Sequence, residues 1–170
     1  MMYDTIVQIL ADGLVLPIVL IGAVSLLFFI PNNKKYEAYC RILLAGLTAY
    51  LIAKLLGTLY QPATERPFQA LGMDPGASYL DNPGFPSDHA LFASAIALAV
   101  LAEVRRRWIG VLLVVLTLLV CLGRVLALVH TPLDVAGGLL VACIGAGWYL
   151  VGRSADDMPV LDRKNPKSRN

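Results

Sequence analysis

Residues 108–129 read WIGVLLVVLTLLVCLGRVLALV, an apolar run with no charge before Arg124. The hydrocarbon core of a bilayer is about 30 Å thick, and about 20 helical residues are needed to cross it. Other parts of the chain carry segments of the same kind, one of them short. The sequence predicts five membrane-spanning helices, at about Ile6–Ile30, Ile42–Tyr60, Ala90–Ala102, Trp108–Val129 and Leu133–Gly152.

The composition of the whole chain supports this interpretation. Of its 170 residues, 58% are hydrophobic and 15% are charged, and the mean hydropathy is +0.69. Soluble domains have about 45–50% apolar and about 25% charged residues, and disordered chains are poorer still in apolar residues. The sequence therefore predicts an all-α integral membrane protein, with a bundle of five transmembrane helices in one domain over residues 1–152.

The basic residues are distributed unevenly between the two sides of this predicted bundle. Eleven of the 14 lysines and arginines fall in the connections and the tail on one side. Because an excess of Lys and Arg marks cytoplasmic loops, that side is predicted to be cytoplasmic. The polar tail, residues 153–170, then lies in the cytoplasm, while the N-terminus and the long Pro-rich loop, residues 60–86, face outward.

The remaining basic residues and both histidines are predicted near the outer membrane face. Ionisable groups at such positions are costly and usually functional, and five of them at one level predict a site. They are Lys54, Arg66, His89, Arg124 and His130.

Residues 86–89, PSDH, precede the third predicted helix. Ser87 is a favourable N-cap, and the first-turn amides behind it would form an anion site at the positive end of the helix dipole. The alternative is purely structural. Ser87 then only caps the helix, and His89 only extends toward the membrane interface.

Residues 130–134, HTPLD, precede the fifth predicted helix. Thr131 is predicted as N-cap and Asp134 as the capping-box acid at N3. Capping accounts for these two residues, but it does not account for Arg124 or His130. A carboxylate four residues after His130 can fix its tautomer and stabilise its charge, as a nucleophile or base requires.

Three basic side chains would suit a phosphate in such a site. Arginine makes planar, bidentate contacts with phosphate, whereas lysine acts as a point charge. Arg66 and Arg124 would then donate hydrogen bonds to the phosphate oxygens, and Lys54 would add its positive charge.

The order of these residues resembles the three-part signature of the type 2 phosphatidic acid phosphatase (PAP2) superfamily. The first part is Arg66-Pro67, the second is residues 86–89, and the third is Arg124 with His130 and Asp134 at the family spacing. PSDH together with Arg-Pro-Phe resembles the undecaprenyl-diphosphate phosphatase branch of bacterial envelopes.

The resemblance implies a mechanism without cofactor or metal. His130 would attack phosphorus and become a phosphohistidine while Asp134 orients it, and His89 would protonate the leaving oxygen and then help to activate water. The sequence also has no Cys/His or carboxylate cluster of the kind that holds a catalytic metal. Phosphate binding would fall to Arg66, Arg124, Lys54 and the backbone amides of Ser87 and Asp88.

The chain departs from the family pattern at three positions. Leu59 stands where the family has a lysine, and the nearest lysine is Lys54, 12 residues before Arg66. Asp88 replaces a glycine, and Gly123 replaces a serine. Five helices are also predicted where the family usually has six.

The expected function is hydrolysis of a polyprenyl diphosphate, such as undecaprenyl diphosphate, in the bacterial plasma (inner) membrane. The expected partners are a lipid with a phosphate or diphosphate headgroup and the bilayer itself. No nucleic-acid partner is expected, and the oligomeric state stays open. Phosphatidylglycerol phosphate or phosphatidic acid is the alternative substrate. A non-catalytic lipid-headgroup binder or transporter is the alternative of another class, favoured by Leu59 and Gly123.

Overall fold

The structure is a computed structural model that describes residues 2–62, 65–82 and 84–151. Within those ranges the chain is helical and contains no strand. The predicted tail, residues 153–170, lies outside the described residues. The helices are α1 (Met2–Gln8), α2 (Val15–Phe28), α3 (Lys35–Leu59), α4 (Pro67–Ala70), α5 (Asp88–Glu103), α6 (Arg107–Leu126) and α7 (Pro132–Gly145).

Shorter helical segments link or extend these helices. A π-helical turn at Ile9–Gly13 joins α1 to α2, so the first predicted span is one interrupted helix. A 3₁₀ turn at Asn32–Lys34 precedes α3, and a second at Ala146–Leu150 extends α7. The long outer loop is not irregular throughout, because it contains the one-turn helix α4.

Among the residues that the structure describes, four helical stretches are long and apolar enough to cross a membrane, whereas five spans were predicted from the whole sequence. They cover Asp4–Phe28, Asn32–Leu59, Arg107–Leu126 and Pro132–Leu150. The fifth candidate, α5, has 16 residues, so it is about 24 Å long at 1.5 Å per residue. That is less than the roughly 30 Å of the hydrocarbon core. The count of five spans therefore stays a prediction.

Helix α5 lies at the centre of the bundle, in contact with α2, α3, α6 and α7. Its faces carry small side chains, and Ala90, Ala93 and Ala97 are fully buried. Small residues allow helix backbones to approach closely. The small side chains of Ala93 and Ala97 therefore serve the packing of α5 against its neighbours.

Helix α7 approaches α5 and α3 through glycines. A Cβ atom on Gly138 would lie 2.6 Å from the carbonyl oxygen of Ser87, and one on Gly145 would lie 2.4 Å from the carbonyl oxygen of Ala45. Both distances are shorter than real contacts, so only glycine fits at these positions. This close approach brings the start of α7 against the start of α5.

The two ends of the bundle differ in their polar contacts. At one end Arg41 of α3 makes a two-pronged ion pair with Glu103 of α5, at 2.8 and 2.9 Å. The opposite end carries the start of α5, the end of α6 and the start of α7. The predicted site residues lie at this second end.

Candidate active site

Two helix caps hold the backbone of the site. Ser87 is the N-cap of α5, and its buried hydroxyl accepts from the amide of Ala90. Thr131 is the N-cap of α7. Its hydroxyl accepts from the amide of Asp134, while the Asp134 carboxylate accepts from the Thr131 amide at 2.8 Å. Both predicted caps are confirmed. They fix the backbone positions from which the side chains of His89 and His130 extend.

His130 and Asp134 form a buried pair. The Nδ1 atom of His130 lies 3.6 Å from Oδ2 of Asp134, and both side chains are almost fully buried. This distance is too long for a hydrogen bond, and within the described part of the chain His130 Nδ1 has no hydrogen-bond partner. The carboxylate therefore faces the imidazole while its Oδ2 is bonded to the cap of α7.

Arg124 is the most deeply buried charge of the site, with 1% of its surface exposed. Its Nη1 donates to Oδ1 of Asp12 at 2.8 Å. The same carboxylate oxygen lies 3.8 Å from Nε2 of His89. Arg124, His130 and Asp88 also lie close enough to His89 to act on it electrostatically.

Arg66, in the loop before α4, is 8% exposed. Its guanidinium donates to the carbonyl oxygen of Val129, to that of Leu80 at 3.0 Å and to Oδ1 of Asn82 at 3.0 Å. Burial lowers the pKa of Arg66 below its ordinary value, yet an arginine keeps its charge. Arg66 thus ties the outer loop to the residue before His130, and its contact with phosphate stays a prediction.

Gly84 lies between the side chains of Arg66 and Asp134. A Cβ atom on Gly84 would lie 3.5 Å from Oδ2 of Asp134 and 4.0 Å from Nη1 of Arg66. The guanidinium and the carboxylate therefore border the same small space. The structure brings His89, His130, Asp134, Arg66 and Arg124 together at one end of the bundle.

Lys54 lies on the α3 side of the start of α5. Its Nζ is 3.8 Å from Oδ1 of Asp88, and both side chains are about half exposed. Leu59, at the family lysine position, is 73% exposed and ends α3. Two of the departures from the family pattern, at Leu59 and at Asp88, are therefore related. The lysine that lies at position 54 instead of position 59 has the Asp88 carboxylate as its negative partner.

One predicted phosphate contact does not fit the structure. The backbone N–H of Ser87 donates to the carbonyl oxygen of Asp134 at 2.9 Å. This amide is used to join the start of α5 to α7, so it is not directed at a phosphate. The first-turn amide of Asp88 stays a predicted contact.

Sequence reasoning missed Asp12. It lies in the π-helical turn and contacts both Arg124 and His89. The available signal was a lone carboxylate inside the first apolar segment, since such groups are rarely placed there without a function. No group of three His, Cys, Asp or Glu side chains able to hold a metal ion occurs among residues 2–62, 65–82 and 84–151.

A known protein family matches most of the chain. The model of the PAP2 superfamily matches residues 38–156. The chain therefore belongs to the PAP2 superfamily, and the predicted resemblance is confirmed.

Particular relatives are bacterial and animal phosphatases. The chain is 32% identical over 142 residues to the undecaprenyl-diphosphatase BcrC of Bacillus subtilis, covering 83% of this chain and 70% of that protein. It is 48% identical over 61 residues to the putative undecaprenyl-diphosphatase YbjG of Escherichia coli, covering 36% of this chain and 30% of that protein. Human sphingosine-1-phosphate phosphatase 2 is 42% identical over 67 residues, covering 36% of this chain and 17% of that protein. No solved structure matches the chain.

Proposed function

We propose that the protein hydrolyses a polyprenyl diphosphate, such as undecaprenyl diphosphate, to the monophosphate through a phosphohistidine on His130. The observation that carries this proposal is the convergence of two histidines and two buried arginines at one end of the bundle. The similarity to the undecaprenyl-diphosphatase of Bacillus subtilis supports the choice of substrate.

The chemistry of the site follows from the orientation of His130. Because Nδ1 faces Asp134, the Nε2 lone pair attacks the terminal phosphorus. A P–N bond forms and the bond from phosphorus to the bridging oxygen breaks. That oxygen leaves with the lipid monophosphate and takes a proton from His89. Neutral His89 then removes a proton from a water molecule as the water oxygen attacks phosphorus. The P–N bond breaks, and inorganic phosphate is released.

The arginines act on the charge of the transferred phosphoryl group. Phosphoryl transfer needs mainly positioning and stabilisation of oxygen charge. Arg124 is almost completely shielded from solvent, and shielding strengthens its interaction with an anion. Its Nε is buried and has no hydrogen-bond partner within the described residues, so a phosphate oxygen bound beside it would satisfy this donor.

An apolar cavity supports a lipid as the substrate. It has a volume of about 510 Å³ and lies between α3 and α5. Its lining is apolar along Ile42, Ala45 and Leu91, and it reaches Lys54 and Asp88 at the end that carries the site. Such a cavity suits a hydrocarbon chain whose charged headgroup lies beside Lys54.

The test is phosphate release by purified protein in detergent. We expect release from C55 diphosphate to exceed release from the monophosphate and from phosphatidylglycerol phosphate, and we expect it to continue in EDTA. The control for contaminating phosphatase is the His130→Ala protein purified in the same way. Inhibition by EDTA that a divalent metal reverses would contradict the mechanism, and equal release by the His130→Ala protein would contradict the function.

A monophosphate lipid is the second candidate substrate. The similarity to human sphingosine-1-phosphate phosphatase 2 favours it, since that name specifies a lipid monophosphate. A single phosphate would use the same nucleophile and the same arginines. Preferential release from phosphatidic acid or phosphatidylglycerol phosphate in the same panel would identify this alternative.

We further propose that the site faces away from the cytoplasm of a bacterial plasma membrane. The support is the cluster of basic residues at the other end of the bundle, including Arg105, since such residues mark the cytoplasmic side. In cells expressing a variant without its three cysteines, Asp74→Cys in the exposed outer loop should react with a membrane-impermeant maleimide. Exposed Arg105→Cys should react only after permeabilisation. The reverse pattern would contradict the orientation.

A further inference from the structure

Asp12 contacts the site from an element outside the family match. The PAP2 model covers residues 38–156, whereas Asp12 lies in the π-helical turn of the first membrane helix. Short π-helical turns inside α-helices occur frequently at functional sites. A carboxylate within a membrane segment is a functional candidate in its own right.

Gly123 is what allows this turn to reach the site. A Cβ atom on Gly123 would lie 2.5 Å from the amide nitrogen of Ala11 and 2.6 Å from the carbonyl carbon of Leu10. Backbone atoms cannot yield as a flexible side chain can. The space that the family serine would need is thus filled by the π-helical turn that carries Asp12.

Both oxygens of the Asp12 carboxylate are bonded. Oδ1 accepts from Nη1 of Arg124 at 2.8 Å, and Oδ2 accepts from the backbone N–H of Ser78 in the outer loop at 2.8 Å. Two bonds on opposite oxygens fix the plane of the carboxylate. The carboxylate therefore connects the first membrane helix, α6 and the outer loop.

The contact with Asp12 uses only one of the hydrogen-bond donors of the Arg124 guanidinium. Asp12 takes one N–H of Nη1, while Nε stays buried without a hydrogen-bond partner among the described residues. A nearly buried guanidinium needs a counter-ion, because an unpaired charge there is costly. A carboxylate on one edge balances the charge and holds the remaining donors in one direction.

We propose that Asp12 is a positioning residue that holds Arg124 toward the phosphate and, through the same oxygen, attracts protonated His89. The inference rests on the proposed function. The groups that act on His89 are Asp12 from the first helix, Arg124 from α6, His130 from the α6–α7 connection and Asp88 from α5 itself. Asp12 and Asp88 are the negative members of this set, and Asp12 alone also bonds Arg124.

The test compares Asp12→Asn, which keeps the shape, with Asp12→Glu, which keeps the charge. We expect Asp12→Asn to lower kcat about 10²-fold, the loss typical of a misplaced catalytic group, with a much smaller change in KM. Asp12→Glu should recover part of this loss. The matched control is Asp4→Asn, the same substitution at an exposed position of the same membrane helix.

A second variant tests the position of the turn rather than its charge. Gly123→Ser restores the family residue but displaces Ala11 and Leu10, so it should reduce kcat in the same direction as Asp12→Asn. An active Gly123→Ser protein with wild-type kcat would contradict the proposal.

Four further outcomes would overturn the proposal. Wild-type kcat in Asp12→Asn overturns the positioning role, and so does a higher kcat/KM, which would mean that the carboxylate competes with phosphate for Arg124. Equal losses in Asp12→Asn and Asp12→Glu, together with lower thermal stability in both, indicate a merely structural ion pair and also overturn it. If the wild-type protein releases no more phosphate than His130→Ala, the proposed function fails as well.

Discussion

Replacing His130 by alanine is expected to reduce phosphate release from C55 diphosphate by at least about 10⁴-fold, because removal of a covalent nucleophile costs several powers of ten. His130 is buried beside Asp134, so the substitution also leaves a small cavity. The thermal unfolding temperature and the elution volume should be measured beside the activity. A folded but inactive protein is the expected result.

The covalent step gives a sharper readout than turnover. Wild-type protein mixed with a diphosphate labelled at its terminal phosphorus and quenched in alkali, where phosphohistidine is stable, should carry the label. The His130→Ala protein should carry none. A labelled His130→Ala protein would contradict the assignment of the nucleophile.

His89→Ala serves as the matched histidine variant. A nitrophenolate leaving group needs no proton, so His89→Ala should still give a burst of about one nitrophenolate per protein from p-nitrophenyl phosphate and then stall. His130→Ala should give no burst. The same absence of a burst in both variants would contradict the division of roles between the two histidines.

Much of the bundle could be predicted because its signals are local. The apolar segments, the Ser87 cap and the Thr131–Asp134 capping box were each read from adjacent residues, and the structure contains all of them. Helix α3 begins at Lys35, before the predicted start of the second span at about Ile42. The helix continues through polar residues that the hydropathy of a membrane segment does not include.

The contacts missed by sequence analysis join residues far apart in the chain. Asp12 meets Arg124 across 112 residues, and Arg66 meets Val129 across 63. Neither pair has a spacing that indicates contact. The first depends on a π-helical turn that periodicity does not reveal, and the second depends on how the outer loop folds back over the start of α7.

The paired departures at Lys54 and Asp88 show a related limit. Position by position, Leu59 and Asp88 look like losses of a cation and of a glycine. In the structure Asp88 lies 3.8 Å from Lys54, so the charge at the start of α5 is balanced by a lysine five residues earlier than in the family pattern. A single substitution in the sequence does not reveal which other residue in the structure balances the change in charge.

Replacing Arg124 by alanine is expected to reduce kcat/KM about 10²- to 10³-fold, the usual loss when a donor to developing oxygen charge is removed. It should also lower the unfolding temperature, because the Asp12 carboxylate then loses its ion-pair partner. Activity and stability would fall together in this variant, so it cannot by itself separate the two roles of the guanidinium.

Two further variants separate them. Arg124→Lys keeps a cation beside Asp12 but lacks the planar set of donors, so we expect stability to be largely retained while kcat/KM stays low. The double variant Asp12→Asn/Arg124→Gln removes both charges, so its unfolding temperature should recover toward wild type without recovery of activity. Exposed Arg105→Ala, at the far end of the bundle, is the control and should match wild type. Full activity in Arg124→Lys would contradict the bidentate phosphate contact, because a point charge would then be sufficient at this position.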